Sequence, residues 1–137
     1  MALSQAKNPN FDTLTYNPVD LIPTSAQGAG NSVPAGSRVV KLGANVNGVT
    51  DFFVLPSLAS VPNGHSIQVT AGAANCEART PDGSDEEINS ENCDGTKEYL
   101  VTATEINIFT KIDNTIGWMG RRISALGAVD GTPVVPD

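Results

Sequence analysis

The chain has 137 residues, 15 acidic and 8 basic side chains, a formal net charge of −7, and 39% hydrophobic against 5% aromatic residues. That is one domain's length with a modest core. The charge argues against nucleic acid or an anionic membrane surface as a partner, since both need clustered Lys and Arg, and the only adjacent basic pair is Arg121-Arg122. No apolar run reaches the roughly 18 to 20 residues that cross a bilayer.

Residues 1–36 differ from everything after them. Pro9, Pro18 and Pro23 fall in the first part with no sustained period, and small residues, glycines and Pro34 dominate Thr24 to Gly36. Proline removes a backbone donor and biases its predecessor towards extended geometry, so no helix is expected here. A solvated, disordered tail is the plain reading. Phe11, Leu14, Tyr16, Val19, Leu21 and Ile22 are too apolar for it. The favoured reading is an extended N-terminal arm that lays these side chains on a partner and offers its backbone for strand addition.

From Ser37 the pattern becomes strand-like, and residues 37–137 are expected to form the folded domain. Arg38 to Leu42 reads as a strand, Asn47-Gly48 as a hairpin turn, and Asp51 to Leu55 as the returning strand. The stretch from Asp51 to Val69 organises the rest: an apolar run, a break at Pro56, a turn at Pro62-Asn63-Gly64, then alternation through Ile67 and Val69. Asn75 to Thr80 continues with Cys76 and Ala78 on the inner face. Pro81 to Thr96 is a polar loop that Ile88 anchors in the core. Lys97 to Ala103 alternates again, and Ile106, Ile108, Thr110 and Ile112 extend the same alternation. Asp113-Asn114 turns, and Gly117-Trp118-Met119 opens a last strand. Residues 126–137 echo residues 42–50, which places both turns near one rim. With no helical apolar stripe and turn signals every 8 to 12 residues or so, the expected fold is all-β, a small antiparallel β-sandwich or barrel-like domain carrying the arm.

Chemistry is sparse. Asp82, Asp85, Glu86, Glu87, Glu91 and Asp94 offer the oxygens that Ca²⁺ prefers, but their spacing is not that of an EF-hand, and such loops are usually just solvated. Nor is there the rigid cleft that a glycosidase carboxylate pair needs. His65 adjoins Ser66, yet neighbours in a strand point to opposite faces. With no Gly-x-Ser-x-Gly turn and no His-Glu-x-x-His, His65 reads as a surface residue near a turn. Trp118 is expected to cover one end of the core with its indole N–H wet, and the sharper alternative is a sugar platform. Arg121 and Arg122 read as solvated charges or as partners for a neighbouring copy's acidic loop. No secretion signal opens the chain, so Cys76 and Cys93 are expected as reduced thiols in a cytoplasm, a bridge formed after cell lysis being the alternative. The expectation is no enzyme, no cofactor and no metal.

The order of signals from residue 51 resembles a module of tailed-phage virion proteins. It comprises Val54-Leu55-Pro56-Ser57, Gly64, Ile67-Gln68-Val69, Cys76 to Thr80, Ile88-Asn89, Tyr99-Leu100-Val101, Ile106 to Thr110 and Gly117-Trp118, about half the chain. The resemblance implies a head decoration (cement) protein made in the host cytoplasm. It would sit on the virion head surface as a homotrimer and bridge capsomers of the major capsid protein. The alternatives are a tail-fibre or baseplate component for host attachment, and a small Ca²⁺-dependent carbohydrate-binding domain.

Overall fold

The computed structural model describes residues 18–125. Ten strands are present among them: β1 (Val19–Leu21), β2 (Val39–Leu42), β3 (Phe52–Val54), β4 (Ser66–Thr70), β5 (Cys76–Arg79), β6 (Glu87–Ile88), β7 (Glu91–Asn92), β8 (Tyr99–Val101), β9 (Glu105–Asp113) and β10 (Gly117–Ala125). The only helical pieces described are single 3-10 turns at Gly48–Thr50 and Leu58–Ser60, and no described helix is long and apolar enough to cross a membrane. The expected all-β class holds. The strands form a seven-stranded sheet in the order β1-β2-β4-β9-β10-β6-β7 and a three-stranded sheet in the order β3-β5-β8.

Neither sheet is purely antiparallel. The pairs β1–β2, β2–β4, β3–β5 and β6–β10 run parallel, while β4–β9, β9–β10, β5–β8 and β6–β7 run antiparallel. Parallel neighbours need a crossover connection, and here the chain between β2 and β4 passes through β3 in the other sheet. The expected hairpin of residues 38–55 is therefore absent. Asn47-Gly48 turns the chain from one sheet to the other, and Asp51 fastens that turn by accepting from the N–H groups of Val46 (3.1 Å) and Asn47 (2.9 Å) and from Asn47 Nδ2 (3.0 Å).

Both sheets feed one core. Val40, Leu42, Ile67 and Val69 come from the large sheet, and Phe53, Cys76, Ala78 and Val101 from the small one. Phe109 on β9 joins them, packing edge-on against Phe53 at 6.1 Å and Tyr99 at 5.1 Å between ring centroids. Gly120 leaves the space those rings need, since a Cβ there would lie 2.9 Å from Phe109 and 3.0 Å from Tyr99. Ile88 is buried, as its place in the acidic loop suggested, and so are the free thiols of Cys76 and Cys93. Burial, with Glu77 and Asp51 nearby, pushes the Cys76 thiol up to about 12.

The second half of the expected arm belongs to the body. β1 adds to the edge of the large sheet beside β2, which turns Leu21 into the core and lays Val19 against it. The chain then covers the free edge of β3. Thr24 and Phe52 exchange backbone bonds of 3.1 and 2.9 Å, Val33 donates to Val54 O (2.8 Å), and Val54 donates to Asn31 O (2.9 Å). Buried Asn31 ties this cover down through Nδ2, which donates to Phe52 O at 2.8 Å. An edge strand with apolar neighbours gains more by covering its own sheet than by waiting for a partner. Phe11, Leu14 and Tyr16 lie outside the described residues.

Candidate interaction surface

The side chains singled out for chemistry are mostly structural. His65 is 4% exposed, not a surface residue, and its Nε2 lies 2.9 Å from Ser37 O. Burial lowers its pKa, and nearby Arg38 adds to this. Trp118 is 1% exposed, with Nε1 enclosed and lacking a protein partner. It caps nothing at the surface and offers no face for a sugar to stack on. Its burial follows from β10 running through the sheet between β9 and β6, where Trp118 sits opposite Lys111 and Ile88.

The acidic loop is largely self-satisfied. Asp94 Oδ2 accepts from Asp85 N at 3.1 Å, Asn92 Nδ2 donates to Asp85 Oδ1 at 3.2 Å, and Glu91 pairs with Lys97 at 2.6 Å. Glu86 turns inward and accepts from Leu58 N at 2.9 Å. Among the described residues no three His, Cys, Asp or Glu side chains converge to hold a metal ion. Arg122 pairs with Glu105 of its own chain at 3.1 Å, whereas Arg121 points to solvent.

The carboxylates set the response to acid. Hydrogen bonds from Asn47 hold Asp51 below the usual range, and the N–H groups of Ile116 and Thr115 do the same for Asp113. Burial pushes Glu105 up, but the Thr102 N–H and Arg122 outweigh it and the net shift is downward. A depressed pKa means the unfolded chain binds protons more readily, so this stability is present above the ordinary carboxylate range and lost as pH falls through it and below. Glu77 and Glu86, raised mainly by burial, act with the opposite sign. The three depressed groups are expected to dominate, so thermal melts should fall in temperature between pH 7 and roughly pH 3. Asp51→Asn should flatten that dependence; an unchanged slope would remove Asp51 from the account.

The alternation expected over β9 is present, and its isoleucines are on the outer side: Glu105, Asn107, Phe109 and Lys111 are buried, and Ile106, Ile108, Thr110 and Ile112 are the outer side chains. Each inward polar side chain makes at least one hydrogen bond, although Asn107 Nδ2 is buried without a partner. Glu105 accepts from Thr102 N (2.8 Å), Asn107 Oδ1 accepts from Tyr99 Oη (2.9 Å), and Lys111 Nζ donates to Leu58 O (2.6 Å) and Val61 O (2.8 Å). Cross-strand partners share a face. Ile108 therefore lies between Gln68 and Arg121, and Thr110 between Ser66 and Met119.

The outer face of the large sheet thus carries Ile106, Ile108 and Met119, the last 43% exposed, with Arg121 and, on β2, Lys41. The outward positions of β2, β4, β9 and β10 hold no carboxylate among the described residues. The carboxylate-free stretch ends at β1, where exposed Asp20 sits opposite Lys41. At the far edge, Ile22 is 56% exposed and borders a groove of about 630 Å³ lined by Asp20, Leu21, Thr24, Gly30, Lys41 and Gly43.

Comparison of the chain with family models, with curated proteins and with solved structures found no match.

Proposed function

We propose that this chain is a tailed-phage head decoration protein, an all-β body, sandwich-like in its two sheets, that binds the outer surface of the capsid shell as a homotrimer. The observation that carries the reading is how the apolar leader is rooted. Phe11, Leu14 and Tyr16 run directly into β1, whose Leu21 is locked in the core and whose backbone pairs with β2. A leader fixed this way passes any pull on it into the sheet rather than peeling away.

Binding would come from burying the leader's apolar side chains at roughly 25 cal/mol per Å², less the ordering of a chain segment. Three copies would repeat each contact, so modest burial per copy suffices. The surplus of carboxylates elsewhere keeps decorated particles from adhering to one another. The proposed site is the leader together with Val19 and Ile22 at its root, with the major capsid protein as partner and the virion head as location.

The test is deletion of residues 1–17, which spares every described strand. The truncated chain should melt as the full chain does and should no longer sediment with head shells of the phage that encodes it. Undiminished co-sedimentation would sink the reading. Labelled protein found on tails rather than heads would favour the host-attachment alternative.

A further inference from the structure

We propose that Asn47 is a site of spontaneous covalent modification, closing on the Gly48 nitrogen to a succinimide that opens to aspartate or isoaspartate, and that this loosens the turn joining the two sheets. The inference stands independently of the decoration reading.

The chemistry needs an asparagine whose side chain the next backbone nitrogen can reach. Asn47-Gly48 and Asn63-Gly64 both qualify, because glycine has no Cβ to obstruct the approach. At Asn47 the bond from Gly48 N to Cγ forms, the Cγ–Nδ2 bond breaks, and the displaced N–H proton leaves with Nδ2 as ammonia. Water then opens the ring. Cleavage between Cγ and the nitrogen gives aspartate, and cleavage between the main-chain carbonyl carbon and the nitrogen gives isoaspartate. Neither step needs an oxidant or a reductant.

Both asparagines are exposed, so the nucleophile and what must move to free it decide between them. Gly64 N donates to Lys111 O at 2.7 Å, and Lys111 N donates to His65 O at 2.9 Å. Both Lys111 and His65 are buried, so freeing Gly64 N opens enclosed backbone. Gly48 N begins a 3-10 turn, where no intrahelical acceptor exists, and no bond among the described residues holds it. That turn buries none of its residues, so it opens without exposing core, as low-stability segments do. Asn47 has a ψ of 13°, and Gly48 N meets Cγ only when that bond turns, so opening sets the rate. A surface hollow of about 150 Å³, lined in part by Asn45, Val46, Asn47 and Asp51, admits the water that the second step consumes.

The consequence follows from what Asn47 holds. Its Nδ2 donates to Asp51 Oδ1 at 3.0 Å, while Asp51 Oδ2 accepts from the N–H groups of Val46 and Asn47. Modification puts a second carboxylate where that donor was, and like charges disfavour each other's ionised form. Isoaspartate also lengthens the main chain inside the turn by one methylene. The fastening between β2 and β3 therefore weakens as a copy of the protein ages.

The experiment holds the full chain in mildly alkaline buffer, folded or unfolded in urea, and samples it over days. Digestion with trypsin and an aspartate-specific protease separates residues 42–50 from residues 51–79, and mass spectrometry follows the gain from amide to acid at each asparagine. Folding should slow conversion at Asn63 by a factor about tenfold or more larger than at Asn47, as expected when one turn opens locally and the other does not. Equal protection at the two positions overturns the proposal, and so does an Asn47 that stays intact in the folded chain while the unfolded chain converts. The loosening is read separately. Asn47→Asp should melt below the parent, and adding Asp51→Asn, which again sets a donor against a carboxylate, should recover part of the loss. An Asn47→Asp chain that melts with the parent, or a double variant no better than the single one, overturns that half of the proposal.

Discussion

Replacing Lys111 with Ala should lower unfolding stability by about 2–5 kcal/mol, the range for truncating a long buried side chain and leaving its hydrogen-bond acceptors unpaired. The side chain is 4% exposed, and its Nζ gathers the carbonyls of Leu58 and Val61 at 2.6 and 2.8 Å. Those carbonyls belong to the 3-10 turn that carries the chain from β3 towards β4. Glu86 bonds to the same turn through Leu58 N, so its carboxylate and the Lys111 charge secure one short piece of backbone from two sides. Truncation to Ala removes both donors and leaves a void where the stem packed. Lys111→Met separates the two contributions: it keeps most of the stem and should cost only about 1–3 kcal/mol for the orphaned carbonyls. Urea unfolding measures both. A Lys111→Ala chain within 1 kcal/mol of the parent, below even the lower bound for one orphaned group, would mean that Nζ holds nothing the fold needs.

Gly117→Ala should be nearly as damaging, by on the order of 3 kcal/mol, because two penalties coincide. The residue has a φ of +84°, and an added Cβ would lie 2.5 Å from Glu87 O, a backbone atom that cannot swing aside. Relief requires β6 to move away from β10, which breaks the Trp118–Ile88 pairing and the 2.9 Å bond from Asn89 N to Trp118 O. Gly36 provides the control. Its φ is +88°, but nothing lies within 4 Å of the Cβ position, so Gly36→Ala should show only the left-handed strain of about 1–2 kcal/mol. Equal losses at the two positions would mean that the close approach to Glu87 is not what requires the glycine.

Much of the strand content could be read from the residues, because short apolar runs between Gly, Pro and Asn punctuation mark strands whatever their partners. Cys76 and Ala78 are buried where alternation put them, and Ile88 is buried as an anchor of the acidic loop. Pairing could not be read. Asn47-Gly48 suggests a hairpin on local grounds, yet the chain changes sheets there, since Leu42 and Phe52 each find a better neighbour far away in sequence.

Which face of β9 turns inward could not be read for a related reason. Isoleucines at alternate positions look like an inner face, and only tertiary partners reveal that Asn107 Oδ1 and Lys111 Nζ are hydrogen-bonded inside. Tyr99, Leu58 and Val61 supply those partners from 8 to 53 residues away. A place near a turn puts His65 at the surface and an end-of-core role leaves the Trp118 N–H wet, and the strands stacked around them enclose both instead.

The strands β1, β2 and β4 run in one direction, and β10 shares it, because β4 and β10 both oppose β9. The leader therefore joins the body at one rim and the chain departs from β10 at the other. If the leader binds a partner as proposed, a peptide antigen or fluorescent domain grafted downstream of Ala125 would be attached at the rim of the sheet opposite the one where the leader enters.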